Sequence, residues 1–475
     1  MRKLVHFSGG ALLVVATLAN TPASAPSQGP LQGQAQAITN ATGGRWGAMA
    51  WSIKTGETLF AVDADEPRIP ASNNKVFSAI WALGVLGADY RFPTDMLVTG
   101  PIQNGVVRGD VVIRGSGDPA FGYPEYERDP MRPVRVMAQQ LKARGVRVVE
   151  GGVLGDATIF GDSLLGPAWP QDTQGGASYY APRVSGLAFQ RNLLWVTVRP
   201  EGGRVVTSES PAGTGIPVLV QARVGGGRAL ATRRPQGDTI IIRGQVARQG
   251  RYGVGAANPA VLAPAALREA LIAEGIEVRG PVRTGKTPDN ATLLHQHFSI
   301  TLGEMMPKLN RDSDNFFAEH VFKAAAAKAL GQGTYEKAGE ASATFFVRTA
   351  HAPNGQMYQA DGSGLSALNR TSARAVVAAL VWAHRQPWSE SFHQSLAIAG
   401  DRRGSMRNLF NGTPAEGRLH AKTGYIRNVR TLSGYVPTTS GDTVVFSFLY
   451  NGRNTSGARG AQIQLGNLLV NYAGR

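Results

Sequence analysis

The chain has 475 residues and a formal charge of +16, from 49 Lys and Arg against 33 Asp and Glu. Hydrophobic residues make up 43% and charged residues 17%, which excludes a mostly disordered chain; the length suits about three domains of ordinary size. There is no cysteine, so disulfide frameworks, zinc fingers or ribbons, iron–sulfur clusters, a thiol nucleophile and a lipid-modified N-terminal Cys are excluded, and eight scattered His do not suggest a dedicated metal centre.

The N-terminus has the pattern of an export signal. Arg2 and Lys3 form a positive start, residues 11–19 form a short apolar run, and two small-x-small sites follow at 23–25 and 35–37. Pro26 directly after the first site disfavours cleavage there, so the second is preferred. Nine apolar residues cannot span roughly 30 Å of hydrocarbon. The expected mature protein is therefore soluble and periplasmic or extracellular. Loss of Arg2 and Lys3, with no acid, takes the charge from +16 to +14. Outside the cytoplasm such a surface meets anionic wall polymers, lipid head groups or acidic peptides. The Lys and Arg are spread along the chain without blocks or interleaved aromatics, which reads as a generally basic solvated surface and argues against nucleic-acid binding.

Residues 46–60 alternate like a hairpin with Lys54-Thr55-Gly56 at its turn, and NKVFSAIWALGVLG from Asn74 has helical spacing. Strand-like alternation returns over 96–115. Leu141–Gly151 (LKARGVRVVEG) closely matches Leu271–Gly280 (LIAEGIEVRG), each reading as a helix end, a Gly stop and a short strand. The two copies flank a β-rich stretch, 190–250. From about Ser299 the chain turns helical, then ends in a hairpin (431–435 with 444–450) and a final helix. The organisation this predicts is a signal and leader, 1–37; a peptidase unit, 38–95 with 296–475; an inserted α/β unit, 96–189 with 251–295; and a nested β-rich unit, 190–250.

Three short motifs carry chemistry. Ser72-Asn73-Asn74-Lys75 is Ser-x-x-Lys at a helix start, where residues i and i+3 share a face and the Lys amine can reach the Ser hydroxyl. A serine needs such a base to become a nucleophile, and desolvation with nearby cations lets a lysine serve. Ser313-Asp314-Asn315 opens a second helix. Lys422-Thr423-Gly424 sits in a strand-like run, where Lys and a hydroxyl suit a carboxylate and Gly admits a ligand to the backbone. Alone, each is as well explained by a cap or a turn. The chain supplies its own controls: Ser72-Asn73-Asn74 is an accidental Ser-x-Asn, and Lys54-Thr55-Gly56 repeats the third motif in a turn.

The order of the three is far more specific than any one of them. With PASNNKVFSA, RGSGDPAF, LNRDSDNFFAEHVF, DGSGLSALNR and HAKTGYIRNVRTLSGYV around them, the chain from about Ile38 onward resembles the D-alanyl-D-alanine carboxypeptidases/endopeptidases of the class C low-molecular-mass penicillin-binding proteins. The separation of 241 positions from Ser72 to Ser313 matches that family's large insertion. The resemblance implies an α/β (α+β) transpeptidase-like fold, an antiparallel sheet with helices on both faces, interrupted by two smaller inserted domains. It implies no metal or organic cofactor, and peptidoglycan peptides and β-lactams as partners. Ser72 would form the acyl-enzyme, Lys75 take its proton, Ser313 pass a proton to the leaving amine, and Asn315 hold the substrate amide and orient Lys75. Lys422 and Thr423 would bind the terminal carboxylate, Gly424 would leave room for it, and the backbone N–H groups of Ser72 and Tyr425 would form the oxyanion hole. Tyr425 departs from the smaller residue or Thr of many relatives.

Around these, 115–119 reads as a structural turn. Asp361–Ser366 reads as a loop near the site, with Ser363 either touching substrate or held in an Asx turn, and Arg403 as a solvated loop cation or an anchor for an acidic peptide. The rival functions are a β-lactamase, which would need an extra base that no Glu-x-x-x-Asn segment supplies, and a catalytically silent wall-binding or penicillin-sensing protein. Intact Ser72, Lys75, Asn315 and Lys422 argue against the second. An esterase would leave the second and third motifs unexplained.

Overall fold

The computed structural model describes residues 29–161, 163–169, 180–234 and 237–474. Residues 1–28 of the predicted signal and leader, 1–37, lie outside them. The chain first forms helix α1 (Gln32–Thr42), a hairpin β1 (Arg45–Ser52) and β2 (Thr58–Val62), and helix α2 (Asn74–Leu86). After a long excursion it returns with α3 (Leu302–Asn310), α4 (Asn315–Leu330), α5 (Tyr335–Thr349) and α6 (Ala373–His384). Strands β3 (Ala397–Ile398), β4 (His420–Ile426), β5 (Val429–Pro437) and β6 (Thr443–Asn451) follow, then α7 (Thr455–Val470).

The six strands form one antiparallel sheet in the order β2-β1-β6-β5-β4-β3. Both faces are covered, so the strands read as nearly continuous apolar runs rather than clean alternation. Met49, Trp51, Val445 and Leu449 pack on one side against α2 and α6. Ala48, Ala50, Phe446 and Phe448 pack on the other, against α1 and α7. The period of two thus sorts each strand between two cores. This is the antiparallel sheet with helices on both faces that the sequence implied.

The predicted leader, run to residue 37, takes in the first half of α1. Gln32 bonds the Ala61 backbone in both directions, at 3.0 and 2.9 Å, and Ala35 is fully buried against the sheet. Cleavage after Ala37 would cut through the packed half of α1.

The excursion leaves and returns on neighbouring strands, Arg91–Val98 and Thr292–Thr301, paired antiparallel. The two copies of the internal repeat form matching units. Helices Arg132–Ala143 and Leu262–Ala273 pack together, and each ends at a glycine of positive φ, Gly145 and Gly275. Their strands then pair in parallel, Val148–Val149 with Glu277–Val278 and Val153–Asp156 with Val282–Thr284. The β-rich stretch between the copies forms a three-stranded sheet, Arg204–Ser210, Leu193–Glu201 and Gly250–Gly255. A second sheet is built around Ile240–Val246. Among the described residues no helix is long and apolar enough to cross a membrane.

Candidate active site

Ser72 sits in a single 3-10 turn, Ala71–Asn73, that runs straight into α2. The turn is held from three directions. Thr431 Oγ1 donates to the Pro70 carbonyl at 2.7 Å, Asn73 Nδ2 to the Lys422 carbonyl at 3.3 Å, and Asn451 exchanges bonds with Ile69 at 2.9 and 3.1 Å. Ala71 has a left-handed φ of 47°, a conformation that an L-residue keeps only where its surroundings enforce it. A Cβ on Gly364 would collide with the Ala71 carbonyl, and one on Gly424 with Thr431 Oγ1, so both neighbours of the turn must be glycine. Ser72 is half-buried between fully buried Ala71 and Asn73.

One helical turn on, Lys75 is completely buried and its amine makes three contacts. It lies 3.1 Å from Ser72 Oγ, 2.6 Å from Asn315 Oδ1 and 2.7 Å from the Ser363 carbonyl oxygen. Burial lowers its pKa to about 8, against the pull of Glu319, Asp361 and Asp314. Asn315 reaches this amine because Asp314 caps α4, accepting from Phe317 N at 3.2 Å, while Ser313 takes a left-handed φ of 60° just before it. Asn315 Nδ2 donates to the Tyr180 carbonyl at 2.9 Å.

The second lysine, Lys422, enters from β4. It is fully buried, donating to Ser313 Oγ at 2.8 Å and to the Thr423 carbonyl at 2.8 Å. Burial pushes its pKa well below the ordinary range, and the charge on Lys75 adds to the effect. Two Ser–Lys pairs from four elements thus meet at one place, with the hydroxyls accessible and the amines behind them. Thr423 is half-buried. β3 pairs with β4 only at His420 and Ala421, so beyond them that edge of β4 is open. Tyr425 is 62% exposed, its ring under the guanidinium of its cross-strand partner Arg430 at 4.8 Å.

The Asp361–Ser366 segment is an Asx turn: Asp361 accepts from Gly364 N at 2.7 Å and Ser366 N at 2.6 Å, and Trp169 Nε1 donates to it at 2.9 Å. Ser363 is buried, and its carbonyl rather than its hydroxyl serves Lys75. Arg403 is exposed and paired with Asp401 at 3.2 Å, the solvated alternative. Asp118 accepts from Ala120 N at 2.8 Å, making 115–119 a structural turn.

Three buried groups were missed in the sequence. Glu319 accepts from Gly362 N and Ser363 N at 2.9 and 2.8 Å, holding the backbone just ahead of the carbonyl that faces Lys75; burial raises its carboxyl to about 8, and Asp361 adds to that. Lys323 lies over the rings of Tyr335 and Phe160 at 4.6 and 5.0 Å, and burial lowers it to about 8. Asn315, Glu319 and Lys323 are spaced i, i+4, i+8, one face of α4. Third, Arg191 of the inserted segment pairs with Asp314 from a run of three left-handed residues, Gln190–Asn192. Among the described residues no group of three or more His, Asp or Glu is placed to hold a metal ion.

Comparison with known proteins follows the same lines. The D-Ala-D-Ala carboxypeptidase 3 (S13) family matches residues 31–472. A D-alanyl-D-alanine carboxypeptidase of Actinomadura sp. (strain R39) is 31% identical over 452 residues, covering 90% of this chain and 81% of that protein. The D-alanyl-D-alanine carboxypeptidase DacB of Haemophilus influenzae is 25% identical, covering 87% and 86%. The crystal structure of penicillin binding protein 4 (dacB) from Haemophilus influenzae superposes with a TM-score of 0.77 at 21% identity, covering 92% of this chain and 99% of that one.

Proposed function

The chain belongs to the D-Ala-D-Ala carboxypeptidase 3 (S13) family, and from this we propose that it is a serine carboxypeptidase that releases the terminal D-Ala of peptidoglycan stem peptides through an ester on Ser72. The observation that carries the assignment to Ser72 is the set of three acceptors around Lys75. A protonated lysine donates three N–H bonds, and all three are used here. A neutral lysine has two N–H bonds and one lone pair. The Asn315 and Ser363 oxygens can only accept, so they keep the two donors, and the lone pair is left facing Ser72 Oγ. The same contacts that hold the amine therefore aim its basic form at the nucleophile.

In this reading Ser72 Oγ attacks the carbonyl carbon of the penultimate D-Ala while its proton passes to Lys75 Nζ. The oxyanion is held by the backbone N–H groups of Ser72 and Tyr425. The C–N bond then breaks, and the leaving amine takes a proton by way of Ser313, which Lys422 contacts. Water hydrolyses the ester with Lys75 again accepting a proton. Lys422 and Thr423 hold the terminal carboxylate and Gly424 keeps β4 close to the Ser72 turn, so specificity and acid catalysis share one strand.

β-Lactams fit the same path as acylating agents, and peptide cross-links ending in D-Ala at the scissile bond are further substrates. Their use depends on peptide length beyond the reacting centre. Such substrates place the protein outside the cytoplasm, with any export cleavage upstream of Leu31, so that α1 stays packed. The insertion, 96–189 with 251–295, and the nested part, 190–250, are read as separate domains carried by the peptidase unit.

The test is D-Ala release from an acylated tripeptide ending in D-Ala-D-Ala, beside its D-Ala-L-Ala and amidated counterparts. Release far faster from the first than from the other two supports the reading; release from all three at similar rates, or from none, contradicts it.

A further inference from the structure

The basic charge is not spread evenly through the folded chain. Residues 190–255 hold ten arginines and no lysine against three acids, Glu201, Glu209 and Asp238, a net of seven positive charges among the sixteen of the whole chain. In the sequence these arginines come one or two at a time, separated by strand and turn residues, so no block is visible. Arg191 and Arg233 are buried, and the other eight are exposed. Arg199 pairs with Glu201, and among the described residues the remaining seven form no ion pair.

The strand register shows what accompanies them. Ile240, Ile242 and Val246 point into the core of the inserted region, so Ile241, Arg243 and Gln245 point away from it. Residues paired across a ladder share a face. Leu219 and Thr232 pair with Ile241, Leu230 with Arg243, and Arg223 with Gln245. The outer face thus carries two exposed leucines, Leu219 at 40% and Leu230 at 61%, set among Arg223 and Arg243. Arg243 Nε donates to Gln221 at 3.1 Å, which fixes the guanidinium in this setting.

We propose that this outer face docks the protein onto an anionic lipid surface. Guanidinium groups match lipid phosphates in geometry and charge, and unpaired arginines near a negative leaflet add to binding one by one. The leucines decide between occupants. A soluble polyanion would use the arginines but gives nothing to two exposed aliphatic side chains, whereas a lipid surface takes both, with phosphate at the guanidinium and acyl chain at the leucine. The site lies on a different unit from Ser72, so docking leaves the catalytic cleft free and keeps the enzyme near the membrane-proximal part of its polymer.

The experiment is co-sedimentation of the full chain with vesicles of phosphatidylcholine alone and with roughly 30% phosphatidylglycerol, at about 0.1 M salt. The anionic vesicles should bind at least about tenfold more tightly. Arg223→Gln with Arg243→Gln, and separately Leu219→Ser with Leu230→Ser, should each weaken that binding about fivefold or more while D-Ala release in solution stays unchanged. Equal binding to both vesicle types overturns the proposal. So does a leucine variant that binds as well as the parent while soluble polyphosphate displaces both, which would assign the face to a wall polyanion. Running the assay also on Ser72→Ala separates it from the peptidase reading, since loss of catalysis should leave docking intact.

Discussion

Lys-Thr-Gly occurs twice in this chain, and the two copies could hardly differ more. Lys54-Thr55-Gly56 lies in the β1–β2 turn, with Lys54 and Thr55 in solvent and Gly56 at a φ of 72° that the turn requires. Lys422-Thr423-Gly424 lies within β4, with the lysine fully buried on Ser313 and the glycine pressed against the Ser72 turn. The residue types are the same, so the chemistry comes from what surrounds them. Lys54 stands in water. Burial beside another lysine drives Lys422 toward its neutral form, and a strand edge left open by the short β3 gives Thr423 access to a ligand. The two Ser-x-Asn triplets repeat the lesson: Ser72-Asn73-Asn74 makes a 3-10 turn that runs into α2, whereas Ser313-Asp314-Asn315 caps α4.

That contrast can be tested site by site. Lys75→Met removes the proposed base and three hydrogen bonds at once, and acylation by benzylpenicillin should fall by at least roughly a thousandfold. Arg191→Met leaves Asp314 without its buried cation, a loss of about 3–5 kcal/mol; the melting temperature should drop, acylation should slow, and Asp314→Asn in the same chain should restore much of the melting temperature. Lys422→Ala should slow turnover of D-Ala-D-Ala peptides roughly 10- to 100-fold, with a smaller effect on the amidated counterpart. If both substrates lose equally, Lys422 acts in proton transfer rather than on the carboxylate.

The pH profile sharpens the same point. In the proposed role Lys75 accepts the proton only when neutral, and burial lowers it to about 8, so acylation should rise with pH through about 8 and level off above it. A profile flat from pH 6 to 10 would mean that another group is the base. Lys54→Ala and Thr55→Ala mark the small end: stability should stay within about 0.5 kcal/mol and activity should not change.

The sequence made the scaffold of the site readable because its parts are local. The β1–β2 hairpin, the helix after Ser72, the strand around Lys422 and the repeated helix–Gly–strand units each follow from neighbouring residues. Motif order then tied distant pieces together. What stayed hidden depends on long-range contact. α4 is buried nearly all round, so the Asn315, Glu319 and Lys323 row does not stand out as a polar stripe on an amphipathic helix, although its spacing was there to be counted. Ser363 acts through a backbone carbonyl, which no side-chain pattern reveals. Arg191 reaches Asp314 from a left-handed run of ordinary residues, a conformation that their types do not announce. The packing of α1 across the preferred cleavage site was not legible either, because a small-x-small pattern carries no information about packing.

The central claim is that Ser72 is the acylated nucleophile. It is tested most directly by the intact mass of the protein after incubation with benzylpenicillin, beside Ser72→Ala. The account predicts a stable gain of one penicilloyl group on the parent and none on the variant, with the variant still folded. An adduct retained in Ser72→Ala would contradict it, and so would an unmodified parent, whether the antibiotic is rapidly hydrolysed, as by a β-lactamase, or left intact, as by a silent wall-binding protein.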